Sequence, residues 1–461
     1  MIYPPESFLT HSLKEKPWGM KATRIISASL TAVEPGRVVN ESLVRTGTRL
    51  RIGDEELNLK DFNRIFLIGI GKASTPMTLA AADILNEHLY GGMILTKSGS
   101  HDLPERVTGI LDLYHGGHPI PDQDSLNAGT VITSLLSKGK SDDLILFLLS
   151  GGGSALLTSP YPGLTLKDLR LTNQILLCCG ADIKEINTIR KHISMVKGGQ
   201  LAKIAVPAKL FTLILSDVMG DQLDMIASGP TTPDPSTYQD AVEVIEEYNL
   251  NRRLPKSVLN HLNQGLAGHI PETPKPGDPI FNNVTNLIIG RNSDAIQAGV
   301  QQAVLEGFNA DTFPKPLEGE ARLAGEKLAA ILQRMALKSD PLPRPACLII
   351  GGETTVSLDS SGEIGKGGRN IEIALSAVKT MNNVPGVVLI TLATDGEDGE
   401  TDAAGAVVTG DSYGRGRILQ MDPETYLRNH NSYPYFQALD DLLLPGVTQT
   451  NVNDLCLLIT L

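Results

Sequence analysis

The sequence is poor in aromatic residues and in cysteine, and each shortage excludes a class of protein. Phe, Tyr and Trp make up only 4% of the 461 residues, whereas glycine occurs 45 times. This balance favours a fold of aliphatic strands and tight turns over an aromatic-rich binding module. The four cysteines, two of which are the adjacent Cys178 and Cys179, lack metal-ligand spacing. We therefore expect neither a disulfide framework nor a zinc site.

The patterns typical of membrane proteins and of nucleic-acid-binding proteins are also missing. No uninterrupted apolar stretch approaches the length that spans a bilayer. Residues 1–10 lack the basic and then apolar pattern of a secretory leader. The net charge is −12 and the basic residues are scattered, so a polyanion would be repelled. We expect a cytoplasmic protein that binds neither membrane nor nucleic acid, as a monomer or a homodimer.

Short apolar runs, each followed by glycine or small polar residues, are the main positive signal. Runs of this kind predict fully buried parallel strands in β-α-β units, and hence an α/β fold. The carboxyl ends of such strands are where ligands bind in open parallel sheets. The predicted strands are Arg64–Ile70, Leu144–Leu149, Lys209–Leu215, Asn286–Ile289, Ala346–Ile350 and Val387–Leu392.

A cluster of prolines divides the chain. A chain of 461 residues is too long for one ordinary core, so two domains are expected. The segment 274–279 reads Pro-Lys-Pro-Gly-Asp-Pro and can be neither helix nor inner strand. We therefore predict domains at residues 1–270 and 280–461.

The strongest local motif is Ser-Gly-Gly-Gly-Ser at residues 150–154, directly after a predicted strand. Three glycines allow the backbone to turn with positive φ and to direct successive N–H groups towards one anion. A helix starting near Ser154 would add its free amides. The pattern favours phosphate binding over a plain strand-to-helix turn.

Two further strand ends in the first domain carry charged residues. Lys72 follows Gly69-Ile70-Gly71 and could place its ammonium on a phosphate or a carboxylate, although the Walker pattern is not met. Asp217 follows the strand at 209–215 and could hold Mg²⁺, accept a hydroxyl proton or cap the next helix. His118 and His192 are interpreted as structural histidines.

The second domain supplies three more loops. Glu353 stands in Gly-Gly-Glu-Thr-Thr after a strand, and Arg369 follows two glycines at the start of a helical pattern. Arginine in that setting suits bidentate binding of an oxyanion. Asp395 and Asp398 belong to an acidic loop at 394–402, whose mutually repelling carboxylates predict a bound cation or a cationic neighbour.

Together these segments resemble the class II glycerate 2-kinases, whose carboxyl-terminal half is known as the MOFRL domain. The resemblance covers nearly the whole chain, and it depends on the order and spacing of the motifs. They are Ser-Gly-Gly-Gly-Ser-Ala-Leu at 150–156, Lys-Gly-Gly-Gln-Leu-Ala at 197–202, Ser-Asp-Val at 216–218, Gly-Gly-Glu-Thr-Thr-Val at 351–356, Gly-Gly-Arg-Asn at 367–370 and Asp-Gly-Glu-Asp-Gly at 395–399.

The resemblance implies transfer of a phosphoryl group from ATP to the 2-hydroxyl of D-glycerate, with Mg²⁺. It implies an active site in the cleft between a Rossmann-like parallel-sheet domain and the MOFRL-type domain. The family's lysine and arginine correspond to Lys72 and Arg369. Two departures stand out: the last loop reads Gly-Val-Thr-Gln-Thr-Asn-Val-Asn-Asp at 446–454, and Ile371 replaces a frequent glutamine.

From this resemblance we assign the residues of a phosphoryl-transfer site. Lys72, Asp217 and Arg369 are assigned as catalytic. The nucleotide-binding residues are Gly151, Gly152, Gly153, Ser154, Lys197, Gly198 and Gly199; the substrate-binding residues are Lys72, Glu353, Arg369 and Asn370; the Mg²⁺ ligands are Asp217, Asp395 and Asp398. Of Lys72 and Arg369, either one could bind the phosphoryl group while the other binds the carboxylate of glycerate.

Two other functions remain open. An NAD(P)H-dependent hydroxypyruvate reductase needs the Gly-x-Gly-x-x-Gly fingerprint, but Ser74 stands at the third glycine position after Gly69 and Gly71. A non-catalytic sensor of phosphate ligands would bind without turnover, and the acidic loop at 394–402 disfavours it.

Overall fold

The computed structural model describes residues 3–14, 16–98, 103–358 and 365–461. The chain divides into two compact units. The central unit contains Pro35–Ile289, and the split unit combines Met1–Glu34 with Gly290–Leu461. These units differ from the predicted domains at both ends of the first domain, because residues 1–34 pack with the later half and residues 280–289 with the earlier half.

The α-helices are α1 (His11–Lys14), α2 (Gly19–Ala32), α3 (Pro35–Ser42), α4 (Ser74–Leu85), α5 (Gln123–Leu136), α6 (Gly153–Leu156), α7 (Leu166–Leu177), α8 (Ile183–His192), α9 (Gln200–Ala205), α10 (Tyr238–Glu247), α11 (Lys256–Leu266), α12 (Asn292–Leu305), α13 (Ala321–Lys338), α14 (Arg369–Ala377), α15 (Ser412–Ile418), α16 (Pro423–Arg428) and α17 (Ser432–Ala438).

The strands are β1 (Leu43–Thr46), β2 (Arg49–Ile52), β3 (Glu55–Asn58), β4 (Arg64–Ile70), β5 (Gly91–Lys97), β6 (Leu111–Gly116), β7 (Asp143–Leu149), β8 (Lys209–Leu215), β9 (Val284–Gly290), β10 (Asn309–Thr312), β11 (Ala346–Gly352), β12 (Val387–Ala393), β13 (Gly405–Thr409), β14 (Leu442–Leu443) and β15 (Asp454–Thr460).

The central unit contains the predicted parallel sheet. Its strand order is β6-β5-β4-β7-β8-β9, and the pairs of β4 with β5, β4 with β7, β5 with β6 and β7 with β8 are parallel. Every position of β7 is buried, as its unbroken apolar run predicts. β9, predicted to begin the second domain, joins this sheet instead. The loops that follow β4, β7 and β8 therefore start at one edge of the sheet.

The split unit contains a mixed sheet, which corrects the prediction of parallel strands for the second domain. Its order is β10-β11-β15-β12-β13-β14. The predicted strands β11 and β12 do not pair with each other, because β15 lies between them and is antiparallel to both. Asp454, the first residue of β15, is level with Gly352 at the end of β11 and with Ala393 at the end of β12. The loops after β11 and β12 thus start on either side of Asp454.

Each unit has its own aliphatic core. In the central unit the core includes Ile68, Phe147 and Ile214 from the parallel strands and Ile132 from α5. In the split unit it includes Leu348, Leu389 and Leu458 from the mixed sheet. A three-stranded antiparallel sheet of β1, β2 and β3 belongs to the central unit. Across the described ranges, the search for a helix long and apolar enough to cross a membrane finds none.

Candidate functional site

In the central unit the loops after β4 and β7 are bonded directly to each other. The Lys72 N–H donates to the carbonyl oxygen of Gly151 at 2.8 Å, and the Ala73 N–H donates to Ser150 Oγ at 3.0 Å. Gly71 has φ +124°, and a Cβ there would lie 2.3–2.4 Å from atoms of Ser150. Only glycine permits this approach. The structure therefore brings the predicted lysine loop and the glycine-rich loop together.

Gly152 is flanked by two side chains of interest. It has φ +83°, and a Cβ on it would lie 3.1 Å from His118 Cδ2 and 3.2 Å from Lys72 Cγ. Within the described ranges, the N–H groups of residues 151–154 donate to no backbone or side-chain acceptor. N–H groups without an acceptor in the protein can donate hydrogen bonds to a bound anion. The glycine-rich loop thus combines available N–H donors with a neighbouring lysine.

Lys197 occupies a different place from the one predicted. Its side chain is buried, and Nζ donates to the carbonyl oxygens of Ser154 at 2.7 Å and Leu157 at 2.8 Å. Burial, together with the positive charge of the nearby Arg190, lowers the pKa of the Lys197 ammonium to about 7. The ammonium therefore braces the residues after the glycine-rich loop, and in this arrangement it faces carbonyls rather than a phosphate.

Gly198 and Gly199 also use their amides within the protein. Both have positive φ, and their N–H groups donate to the carbonyl oxygens of Ser228 at 2.9 Å and Gly229 at 2.7 Å. The structure thus gives the 197–199 turn a supporting role, in contrast to the predicted second contact with the nucleotide.

The sequence did not predict a series of hydrogen bonds that begins at Ser154 of the glycine-rich loop. Ser154 Oγ lies 2.7 Å from Ser228 Oγ, which donates to Asn187 Oδ1 at 3.0 Å. Ala227 and Ser228 both have positive φ, at 50° and 62°. Non-glycine residues in this region are strained and recur at functional sites. Ser228 follows Asp217 along the chain, and nothing in the pattern of residues identifies Asn187 as its partner.

Asp217 lies two residues beyond β8 and is half-buried. The next α-helix begins at Tyr238, and its cap is Thr237. Asp217 therefore does not cap an α-helix, which removes one of the three roles considered for it.

In the split unit Arg369 lies between two carboxylates. Its Nε is 2.6 Å from Asp454 Oδ2, and its Nη1 is 2.5 Å from Glu353 Oε1. Burial alone would lower the pKa of the guanidinium, but Asp454 and Glu353 hold that pKa above its ordinary value. Burial also raises the pKa of Asp454, although Arg369 opposes this rise. Asp454 is the last residue of the loop at 446–454, and the sequence did not predict it as a site residue.

Asp398 is hydrogen-bonded to the first turn of α14. Its oxygens accept the Asn370 N–H at 3.1 Å and the Ile371 N–H at 2.8 Å, and the Asn370 side chain donates to it at 3.3 Å. Asp398 is only 1% exposed, and burial together with Asp454 raises the pKa of its carboxyl. This arrangement is that of a helix cap, which differs from the predicted roles of Asp398 as a metal ligand and of Asn370 as a substrate contact.

The structure provides no ready-made metal centre among the residues it describes. No group of three or more His, Cys, Asp or Glu side chains there is arranged to hold a metal ion. Asp395 is half-buried in the loop after β12, and its Oδ1 accepts the Glu397 N–H at 3.3 Å.

His192, interpreted as structural, is buried and hydrogen-bonded to the Thr188 carbonyl and to Glu272.

Comparison with known proteins identifies relatives over almost the whole chain. Residues 21–263 match a domain of unknown function, DUF4147, and residues 346–454 match the MOFRL family. The chain is 39% identical over 436 residues to a glycerate 2-kinase of Pyrococcus horikoshii, covering 95% of this chain and 96% of that protein. A protein of Agrobacterium vitis with the provisional name hydroxypyruvate reductase is 41% identical over 392 residues, which cover 85% of this chain and 86% of that protein.

A solved structure agrees with these sequence matches. The crystal structure of a glycerate kinase from Thermotoga maritima superposes with a TM-score of 0.82 at 37% identity. The match covers 96% of this chain and 99% of that protein. Likeness at this level of identity and coverage shows the family as well as the fold.

Proposed function

Since this chain belongs to the glycerate 2-kinase family whose members carry a MOFRL domain, we propose that it transfers the γ-phosphoryl group of ATP to the 2-hydroxyl of D-glycerate. The observation that carries the proposal is the pairing of the lysine loop with the glycine-rich loop at one edge of the parallel sheet. A cytoplasmic location and a monomeric or homodimeric state stay predictions.

We propose that the N–H groups of residues 151–154 bind phosphate oxygens of ATP. Their lack of a protein acceptor in the described part of the chain supports this role. Backbone donors that are already oriented need no reorganisation when charge develops, which is why they stabilise anionic transition states. Lys197 keeps these residues in position through the carbonyls of Ser154 and Leu157.

Lys72 and Asp217 are proposed to act in the same half of the reaction. The approach of the Lys72 side chain to Gly152 supports contact between its ammonium and the phosphoryl group. Asp217, at the end of the neighbouring strand β8, is proposed to orient or deprotonate the acceptor hydroxyl.

Arg369 and Glu353 are proposed as substrate residues of the split unit. Asp454 holds one edge of the guanidinium at 2.6 Å, so the planar fork is oriented before substrate arrives. An incoming carboxylate or phosphoryl group would compete with Glu353 for the rest of the fork, because the Glu353 side chain is the more exposed partner.

Mg²⁺ is proposed to accompany ATP, where it would neutralise charge on the transferring phosphoryl group. Magnesium sites of this kind use one or two carboxylates together with substrate phosphates. Asp217 and Asp395 remain the proposed ligands. Asp398 does not fit this role, because its oxygens already accept N–H groups from the first turn of α14.

The proposal is tested by incubating the purified protein with ATP, Mg²⁺ and D-glycerate and identifying the product by phosphorus NMR. We expect 2-phosphoglycerate. We expect Lys72→Ala to lower kcat/KM by roughly 2–4 kcal/mol in barrier terms. Lys60→Ala, which alters an exposed lysine of the same unit, should leave kcat/KM unchanged. Absence of any phosphoglycerate above the enzyme-free blank would reject the kinase.

The provisional name of the Agrobacterium relative makes a reductase the second candidate. A reductase would oxidise NADH or NADPH in the presence of hydroxypyruvate, which an absorbance assay measures beside ADP release. Ser74 stands where the dinucleotide fingerprint needs its third glycine, and its hydroxyl donates to the Gly71 carbonyl at 2.7 Å. We therefore expect no oxidation of either nucleotide.

A further inference from the structure

Helix α8 ends in three basic residues, Arg190, Lys191 and His192. Basic residues are favourable in a last turn because they face the negative end of the helix dipole. Lys191 has two carboxylate partners, Asp224 at 2.9 Å and Asp234 at 3.2 Å. His192 Nε2 lies 3.2 Å from the carboxylate of Glu272. Two of the three residues are thus matched with acids.

Arg190 has no such match in the described part of the chain. Its Nε donates to Asn173 Oδ1 of α7 at 2.8 Å, and its guanidinium takes part in no other hydrogen bond or ion pair there. The side chain is nevertheless partly buried. Burial lowers the pKa of Arg190, and no neighbouring carboxylate offsets that effect. Arg190 therefore retains most of its five N–H donors for another partner.

Arg190 is linked to two of the residues that support the glycine-rich loop. Asn187, one turn earlier on the same face of α8, accepts from Ser228, which contacts Ser154. Lys197, which holds the carbonyl of Ser154, is close enough to Arg190 for the two charges to repel each other. Arg190 thus shares its surroundings with the residues that support the loop.

Two cations withdrawn from water without a counter-charge are unfavourable, since each has lost hydration and gained a like-charged neighbour. An oxyanion bound by Arg190 would relieve both costs, because it would neutralise the arginine and so weaken its repulsion of Lys197. Arginine suits this task better than lysine, because its planar fork can bind two oxygens of a phosphate or a carboxylate at once.

We propose that Arg190 binds an oxyanion of the ligand seated on the loop of residues 151–154. That oxyanion is either a phosphate of the nucleotide or the carboxylate of the hydroxy-acid. The inference depends on the proposed kinase only for the identity of these two ligands.

The test measures equilibrium binding of ADP, inorganic pyrophosphate and D-glycerate by titration calorimetry, together with the melting temperature. The variants are Arg190→Gln, Arg190→Lys and, as a matched control, Arg252→Gln at an exposed arginine of the same unit. Loss of a hydrogen-bonded charge contact weakens binding about tenfold to a hundredfold. We expect Arg190→Gln to lose this much for ADP and pyrophosphate, or for D-glycerate, at an unchanged melting temperature. Arg190→Lys should recover part of the loss.

The affected ligand identifies the oxyanion. Wild-type affinity of Arg190→Gln for all three ligands would overturn the inference. Uniform loss of all three, accompanied by a clear fall in melting temperature, would also overturn it, because Arg190 would then only brace α8 against α7. Turnover of D-glycerate by the wild type is measured separately, so failure of the kinase proposal remains distinguishable from failure of this one.

Discussion

Two charged regions of this protein balance their charges in opposite ways. Around the glycine-rich loop, Lys197 and Arg190 are buried or partly buried beside carbonyl and amide oxygens, without carboxylate partners in the described chain. Around Arg369, one guanidinium is surrounded by the carboxylates of Glu353 and Asp454, with Asp398 close by. The first region has positive charge to offer an anion. In the second region, the guanidinium of Arg369 also stabilises the fold through its ion pairs with Glu353 and Asp454.

The largest expected effect comes from removing Arg369. Arg369→Ala should lower kcat/KM by an amount equivalent to roughly 3 kcal/mol of activation free energy, because the proposed charged contact to the transition state is lost. It should also lower the free energy of unfolding by roughly 3 kcal/mol, because Asp454 is left buried without its counter-ion. Steady-state kinetics and urea unfolding measure the two effects.

The matched control is Arg322→Ala, which removes an exposed arginine paired with Glu326 on the surface of α13. Such pairs contribute about 0–1 kcal/mol, so neither quantity should change much. If Arg369→Ala were as stable as the wild type, the contrast between the two regions would not hold.

Replacing Lys197 tests the loop region. Lys197→Met leaves the carbonyls of Ser154 and Leu157 without their donor, and we expect unfolding to become easier by about 2 kcal/mol. Because the ammonium supports the loop, KM for ATP should rise more than kcat falls. Lys203→Met, at an exposed lysine of α9, is the control. A fall in kcat alone, with stability and KM preserved, would instead indicate direct contact with the reacting phosphoryl group.

The carboxylates near Arg369 predict a pH dependence of stability. The pKa of Asp398 is raised from its ordinary value near 4 to about 7, so the folded protein binds a proton more tightly than the unfolded chain. The resulting stabilisation is present below pH 4 and is lost as the pH rises towards 7. We expect the free energy of unfolding to decline steadily across this range.

The measurement is urea unfolding at pH 4.5, 6 and 7.5, a series chosen for this window. Asp398→Asn should lower the baseline stability, because the cap of α14 is weakened, but it should flatten the decline. An equally steep decline in Asp398→Asn would exclude Asp398 as its source.

The smallest effect separates backbone strain from crowding. Gly152→Ala and Gly163→Ala both place a side chain at positive φ, which costs about 1 kcal/mol of stability. A Cβ on Gly163 meets nothing within 4 Å, whereas one on Gly152 meets His118 and Lys72. We therefore expect similar melting temperatures but a kcat/KM about tenfold lower for Gly152→Ala alone. Equal activity of the two variants would place the reaction away from Lys72.

The sequence predicted the parts of the fold that depend on local pattern. Strands β4 and β8 have the predicted bounds, and β7 begins one residue earlier. Short unbroken apolar runs that end in glycine or small polar residues favour strands buried on both faces. The antiparallel position of β15 between β11 and β12 depends on residues about 60 to 115 positions away along the chain. No local pattern encodes such a partner.

The same limit applies to the candidate site. The residue types at Lys72, Gly152 and Arg369 indicated charge chemistry and tight turns, and the structure brings the first two together. The destinations of Lys197 and Asp398 could not be predicted, because whether a charged group meets a ligand, a carbonyl or a helix amide is decided by tertiary packing. A charged residue in a motif therefore predicts the region of the candidate site more reliably than it predicts which group that residue contacts.

The discontinuity of the split unit has a consequence for synthesis on the ribosome. Thr450 Oγ1 donates to the Val33 carbonyl, and Ser12 bonds to Asp441, so early and late segments depend on each other. Residues 35–289 form a contiguous unit and can fold as soon as they emerge. Residues 1–34 emerge first, but the rest of their unit, Gly290–Leu461, is synthesised last. Helix α2 is thus a segment that chaperones would be expected to shield during translation.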